Sequence, residues 1–312
     1  MVVGGAVAVA ATGAAEAAAS TMPMVDTHIH LFDPNRPQSA PYRGPKDKPF
    51  FTAGAFPSTY RKIMARHALV AAIEVEASGW IEDNYWVLET CARDPVMVAA
   101  VGNFRIEAPE FPEYLARYVK NPLARGVRYG NLWRYDVVGQ SRRPEFIERL
   151  KLVADAGLVL DTANPRVDLL QAMVRISDAV PALRIVIDHL PKLDPQPEEQ
   201  AAYDAVLREI AVRPNLFVKL SSSLHAGFTS PDLAVHKPRL DRLFETFGED
   251  RVLFATDWPN VEGEGSVHTA VAIVQAYFAG KTLAQREKFF WRNSVAAYRW
   301  LPRTVAQRRL FA

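Results

Sequence analysis

Asp26-Thr27-His28-Ile29-His30 sets two imidazoles two residues apart at the end of a short apolar run, Met24-Val25. In a β-strand, residues i and i+2 share a face, so both rings would converge on one point. Two neutral imidazoles at a strand end can hold a divalent metal, or bind and polarise a substrate oxygen. A His-x-His pair alone also arises by chance on protein surfaces. Its meaning depends on whether the rest of the chain brings a base and further ligands to the same place.

The elements that would do so are legible as eight short, nearly continuous apolar runs at 24–30, 68–77, 96–104, 124–130, 158–165, 184–190, 216–222 and 252–258. Such runs are the pattern of parallel strands covered by helices. Helical periods fall between them at 58–67, 82–93, 144–156, 167–180, 197–213, 231–247 and 267–279, and a last helix over 283–300 is expected on the outside. Strands alternating with helices over this length predict an α/β fold, a (β/α)8 barrel. The proline-rich loop 33–56 would follow strand one and lie across the catalytic end. No Gly-x-Gly-x-x-Gly turn follows the first strand to suggest a dinucleotide fold.

Barrels of this kind place their chemistry at the C-terminal ends of the strands. Those ends carry His28 and His30, then Glu74 and Glu76, Arg128-Tyr129, Asp161 with Asn164 beyond it, Asp188-His189, Lys219-Leu220-Ser221 and Thr256-Asp257-Trp258. So many polar groups closing apolar strands would be costly to bury in a purely structural protein, and they mark an active site. His28, His30, His189 and Asp257 are the catalytic candidates. Asp188 precedes His189 and is expected to face an outer helix. Glu74 is expected to pair with Lys219 or Arg128, while His67, His236 and His268 read as packing or surface residues. His225, in the loop after strand seven, is a substrate-contact candidate, and Asp161 either touches substrate or orients a neighbour.

Composition narrows the classes. The chain has 312 residues, 49% hydrophobic and 23% charged, which suits one ordinary globular barrel. A net charge of +2, spread along the chain, offers no basic stripe for nucleic acid. The single cysteine, Cys91, excludes an internal disulfide and a cysteine metal cluster. Residues 1–22 are small and apolar, read either as an export signal lacking a basic start or as a disordered Ala-rich extension, with a periplasmic or exported location preferred; 23–312 would be the barrel domain. No segment is apolar over the roughly 18 residues a membrane helix needs, and a homo-oligomer is left open.

Several segments resemble the amidohydrolase superfamily, specifically amidohydrolase family 2. Asp26 to Pro34 looks like its first-strand signature, and Val186-Ile187-Asp188-His189-Leu190-Pro191-Lys192 is similar to its strand-six motif. Lys219-Leu220-Ser221, Phe254-Ala255-Thr256-Asp257-Trp258-Pro259 and Arg292-Asn293-Ser294-Val295-Ala296 resemble its last strands and closing helix. The resemblance implies opening of a lactone, from a sugar acid or an aromatic-pathway dicarboxylate. A metal-dependent decarboxylase or a lactone isomerase of the same family is the alternative, and a non-catalytic barrel binding a carbohydrate acid is the reading from another class. Two-metal members carry a Lys or Glu on strand four and a His on strand five, where this chain has Arg128 and Asp161 or Asn164. At most one divalent metal, zinc, is therefore implied, held by some of His28, His30, Glu76, His189 and Asp257. Family members can also work without metal, and no organic cofactor is implied.

On this reading Asp257 is the general base for an attacking water, and the His cluster or the metal polarises the carbonyl. Arg128 is expected to hold a carboxylate on a small-molecule lactone, since a guanidinium matches that group in two-point fashion. Trp80, Tyr129, Trp133 and Trp258 are candidates for stacking on a substrate ring.

Overall fold

The computed structural model describes residues 22–37, 52–163, 165–190, 195–221 and 229–312. Among them, eight strands run parallel in sequence order: β1 Met24–Ile29, β2 Leu69–Val75, β3 Met97–Asn103, β4 Ala124–Arg128, β5 Val159–Thr162, β6 Arg184–Ile187, β7 Leu216–Leu220 and β8 Val252–Phe254. β1 meets β8 through a single parallel bridge between Ile29 and Trp258. There His30 N donates to Trp258 O (2.8 Å) and Asp257 N donates to His28 O (2.9 Å). The closure is thus made by the backbone of the candidate site residues themselves.

Helices fill the connections: α1 Pro57–Ile63, α2 Asp83–Arg93, α3 Phe111–Tyr118, α4 Val137–Gln140, α5 Pro144–Asp155, α6 Val167–Ala179, α7 Gln200–Ala211, α8 Leu233–Phe247 and α9 Val267–Phe278. Their limits follow local chemistry. Proline occupies the first turn of α1 and α5, where its missing N–H costs nothing. Asp232 and Ser266 cap α8 and α9 by accepting from Ala234 N and Thr269 N. Gly157 follows α5 at φ 72°, a left-handed exit that glycine accepts freely. The fold is the expected (β/α)8 barrel with a long connection after β1 and added helix at the C-terminus. α3 and α4 were not anticipated, because Pro112 and Gly139 interrupt their short periods.

The side chains separate into two buried layers. Between strands and helices lie residues such as Met97, Leu160, Ile185 and Leu220. Inside the barrel lie Ile73, Val75, Val101, Val159, Val186, Phe217 and Leu253. The C-terminal segment joins this inner layer, which corrects its expected place on the outside. It runs as α10 Leu283–Glu287, a π-helical turn Lys288–Arg292 and α11 Asn293–Tyr298. Asn293 Nδ2 donates to Val252 O (2.9 Å), Arg184 Nε donates to Ala297 O (2.6 Å), and the Tyr298 hydroxyl donates to Asp161 Oδ2 (2.7 Å). The first two contacts lie at the N-terminal ends of β8 and β6 and the third reaches up to Asp161 within β5, so the segment plugs the floor and leaves the opposite end for chemistry.

Candidate active site

At the C-terminal ends of β1, β6 and β8, four side chains converge. His28 Nε2 lies 3.2 Å from His30 Nε2, and His30 Nε2 lies 3.1 Å from Asp257 Oδ1. His28 Nε2 is 3.7 Å from the same oxygen, and His189 Nδ1 is 3.9 Å from Asp257 Oδ2. The His28 and His189 ring centroids are 4.7 Å apart. His189 and Asp257 reach the centre by leaving the strand conformation, at φ 63° and 59°. That left-handed region is uncommon for residues with a side chain, although Asp and His are among those that enter it most readily.

Proton bookkeeping shows what this arrangement demands. His30 Nδ1 lies 2.8 Å from Val75 O, which can only accept, so that nitrogen carries the proton. In the neutral ring the His30 Nε2 lone pair then faces His28 Nε2 and a carboxylate oxygen. Burial, helped by the Lys219 ammonium, holds the His28 pKa well below its ordinary value, so this ring is neutral at pH 7. Burial alone would raise Asp257, but His189, His30 and His28 together hold it well below the usual carboxylate range. Lone pairs and a fixed anion around one point fit a cation there. His28, His189 and Asp257 offer ligand atoms all within 4.8 Å of one another, an N/N/O donor set suited to zinc.

A second layer of charge holds the first in place. Lys219, fully buried, lies 2.6 Å from Asp161 Oδ2, 2.9 Å from Asp188 Oδ1 and 3.4 Å from His28 Nδ1. Burial works against ionised Asp188, yet Lys219, His28 and Arg128 keep its pKa well below the ordinary value. Asp26 ties β1 to β8. Its Oδ1 accepts from His28 N and Thr256 N (both 3.0 Å), and its Oδ2 accepts from Thr256 Oγ1 (2.5 Å) and from the Tyr60 hydroxyl of α1. Sequence reasoning passed over Asp26; the signal was an acid inside an apolar strand, which must find donors.

Other candidates are placed differently from expectation. Asp188 points into the barrel, because Val186 and Asp188 share the inward positions of β6 and its end. Arg128 does line the site, but its guanidinium is engaged by Asp188 (3.1 Å), Glu76 (3.4 Å) and His189 Nε2 (3.4 Å), which leaves no open fork for a carboxylate. Glu76 is held by Arg128 and by Trp133 Nε1 (2.9 Å), outside the three-residue metal group. Asp161 lies a layer below substrate reach, on Lys219 and Tyr298. Tyr129 takes the opposite face of its strand from Arg128 and stacks on Tyr135 (4.9 Å), while Trp258 packs against Tyr60 (5.0 Å); both are core residues. Glu74 makes neither expected pairing. Ile73 and Val75 occupy the inward positions, and Glu74 lies among α2 and Tyr118, its Oε1 without a hydrogen-bond partner among the described residues. Trp80 and Trp133 do stand at the rim, 53% and 39% exposed. His67 and His268 bond each other (2.9 Å), and His236 bonds Ser230 O (2.7 Å), as bland roles require. His225, Asn164 and residues 1–21 lie outside the described residues, as does most of the loop after β1. No helix among the described residues is long and apolar enough to cross a membrane.

Comparison with known proteins bears on the family and the fold. An L-fucono-1,5-lactonase of Burkholderia multivorans is 26% identical over 301 residues, covering 89% of this chain and 96% of that protein. A crystal structure of an amidohydrolase from Burkholderia multivorans with bound zinc superposes at a TM-score of 0.76 and 22% identity, covering 89% of this chain and 99% of that one. A putative 2-pyrone-4,6-dicarboxylic acid hydrolase from Pseudomonas putida superposes at 0.69 and 21% identity, covering 89% and 97%. At these identities the solved structures carry the fold alone. The amidohydrolase family model matches residues 25–300, from β1 to the residues that plug the floor, and the chain belongs to that family.

Proposed function

We propose that the protein is a lactonase that opens a sugar-acid lactone by attack of water, with Asp257 as general base. The observation that carries this is the convergence of His28, His30, His189 and an ionised Asp257 at the strand ends. The named lactonase relative supports the sugar class. A dicarboxylate substrate is disfavoured because Arg128 is already bound to Glu76, Asp188 and His189.

A divalent metal bound by His28, His189 and Asp257 would supply Lewis-acid polarisation of the acyl oxygen. The chain's own groups do the rest. Asp257 accepts a proton from water as the water oxygen bonds to the lactone carbon. Negative charge growing on the acyl oxygen sits in the field of Arg128, whose guanidinium abuts His189. When the ring C–O bond breaks, Asp257 returns that proton to the departing alkoxide, so lactone and water give one hydroxy acid. Asp26 fixes the His28 end of β1 against β8 through His28 N, Thr256 N and Thr256 Oγ1. The apolar N-terminal stretch supports an exported protein, with 23–312 as its barrel domain.

The test is a panel of sugar lactones incubated with purified protein in weak buffer with a pH indicator. Acid release from at least one lactone is expected. Release of CO2 from an aromatic acid, with no lactone turned over, would replace this reading with a decarboxylase.

A further inference from the structure

Glu76 has two neighbourhoods. One side meets the catalytic cluster through Arg128; the other opens on a cavity of about 800 Å³ that none of His28, His30, His189 or Asp257 lines. We propose that this cavity is a second subsite, built for a further sugar ring attached to the lactone, so that the preferred substrate is a glycosylated aldonolactone. The proposal rests on the lactone-hydrolase reading above and extends it.

Size is the first argument. Ligand pockets span roughly 300–1,000 Å³ for molecules of drug size, well beyond a single lactone ring, and this cavity falls in the upper part of that range. The reacting ring belongs at the catalytic cluster, and none of the four residues of that cluster lines this cavity.

The lining is the second. Trp80 and Trp133 present exposed indole faces while most other large aromatics of the chain are buried. Such a flat apolar face with a polar edge suits the C–H face of a sugar ring. Trp133 is held where the two spaces meet: its Nε1–H donates to Glu76 Oε2 (2.9 Å), and its ring packs on Gly79, where an added Cβ would approach Trp133 Cδ2 to 3.3 Å. Trp133 and Arg134 are both left-handed, at φ 56° and 64°, a strained pair that fixes how the indole is presented.

The third argument is polarity. Glu74 is 1% exposed, lines the cavity, and has an Oε1 without a hydrogen-bond partner among the described residues, an arrangement that is costly unless a ligand satisfies it. Burial, reinforced by Glu76 and Asp83, raises its pKa well above the ordinary value, so it holds its proton. A neutral carboxyl both donates and accepts, as a sugar hydroxyl does. The wall cations are already matched: Arg36 is paired with Asp83 and lies 4.6 Å over the Trp86 ring, and Arg105 is paired with Glu107 (3.2 Å). Arg134 stands exposed at the mouth, where salt screens its charge. The interior therefore favours a neutral hydroxylated ring over a second carboxylate.

The experiment compares each hexono-1,5-lactone that the protein opens with its 4-O-glucosylated counterpart. The glycosylated partner should show a kcat/KM roughly tenfold higher, mainly through KM, and Trp80→Ala should remove most of that preference. Because Trp80 is largely exposed, the variant should fold; circular dichroism checks this. Titration with the glucosylated aldonic acid should also quench tryptophan fluorescence in the wild type, and less in Trp80→Ala. Equal or poorer turnover of the glycosylated partners, or a preference untouched by Trp80→Ala, would overturn the subsite while leaving the lactonase reading standing. Failure to open any lactone would overturn both.

Discussion

Replacing Asp257 by Asn is the most searching test of the site. Asn tolerates the left-handed backbone at φ 59°, whereas Ala there would add strain of about 1 kcal/mol or more. The change therefore removes the base with little disturbance of the β8 end. Loss of a positioned base typically lowers turnover by about 10²–10⁴. The lower end of that span does not apply here, because among the described residues no neighbouring carboxylate is free to step in. Glu76 is held by Arg128 and Trp133, and Asp188 is locked between Lys219 and Arg128. A fall of about 10³ in kcat, equivalent to about 4 kcal/mol in the barrier, is expected. Acid release followed with a pH indicator gives the rate, and elemental analysis of the same sample gives the metal content. The second measurement matters because Asp257 is also a metal-ligand candidate. If the variant bound zinc as the wild type does and kept more than about one-hundredth of the rate, the assignment of the base would be wrong.

Glu74→Gln should raise thermal stability, and increasingly so from pH 4 to pH 8. The folded chain keeps the Glu74 proton while the unfolded chain loses it above its ordinary pKa of 4.5, so the wild type loses stability as pH rises through that window. Equal melting temperatures at pH 8 would show that Glu74 is not strained. Lys219→Met should cost about 3–5 kcal/mol in urea denaturation, since it strands Asp161 and Asp188 without their shared cation. Adding Asp161→Asn should recover part of that loss; a fully additive double variant would refute the coupling. The wild type should take up no more than one zinc per chain, and His189→Asn, which also suits a left-handed backbone, should retain less after dialysis. Two zinc ions per chain would contradict the three-residue site.

Strand alternation carried the sequence reading a long way and then failed at a definite place. All eight strands are recognisable as largely apolar runs, because nearly every strand residue is buried and few polar groups interrupt them. Every boundary drawn at the C-terminal side overran the ladder, by one residue at 24–30 and by four at 252–258, where β8 ends at Phe254. Those overrun residues are the site. His30, Arg128, Asp188, His189 and Asp257 lie on or just past the last paired residues, where the chain is free to turn and period two no longer governs direction.

Asp188 and His189 show what that freedom does. Alternation allows only one of two neighbours to face inward, which predicts His189 at the centre and Asp188 on the helix side. Both face the centre, because Asp188 continues the inward row of Val186 and His189 then rotates into a left-handed conformation that alternation does not contemplate. Nothing local in Asp188-His189-Leu190 announces the rotation. A non-local signal existed in Lys219, flanked by Val218 and Leu220 in a wholly buried strand. A lysine so placed is affordable only beside anions, and Arg128, on the inner face of β4, makes the same demand. Two buried cations require at least two inward acids from the neighbouring strands. Asp161 is one by alternation, and Asp188 is the acid at the end of the strand between β5 and β7. Charge balance across a barrel layer thus places Asp188 where single-strand alternation could not, and once it is inside, His189 can reach Asp257 only if the backbone between them turns.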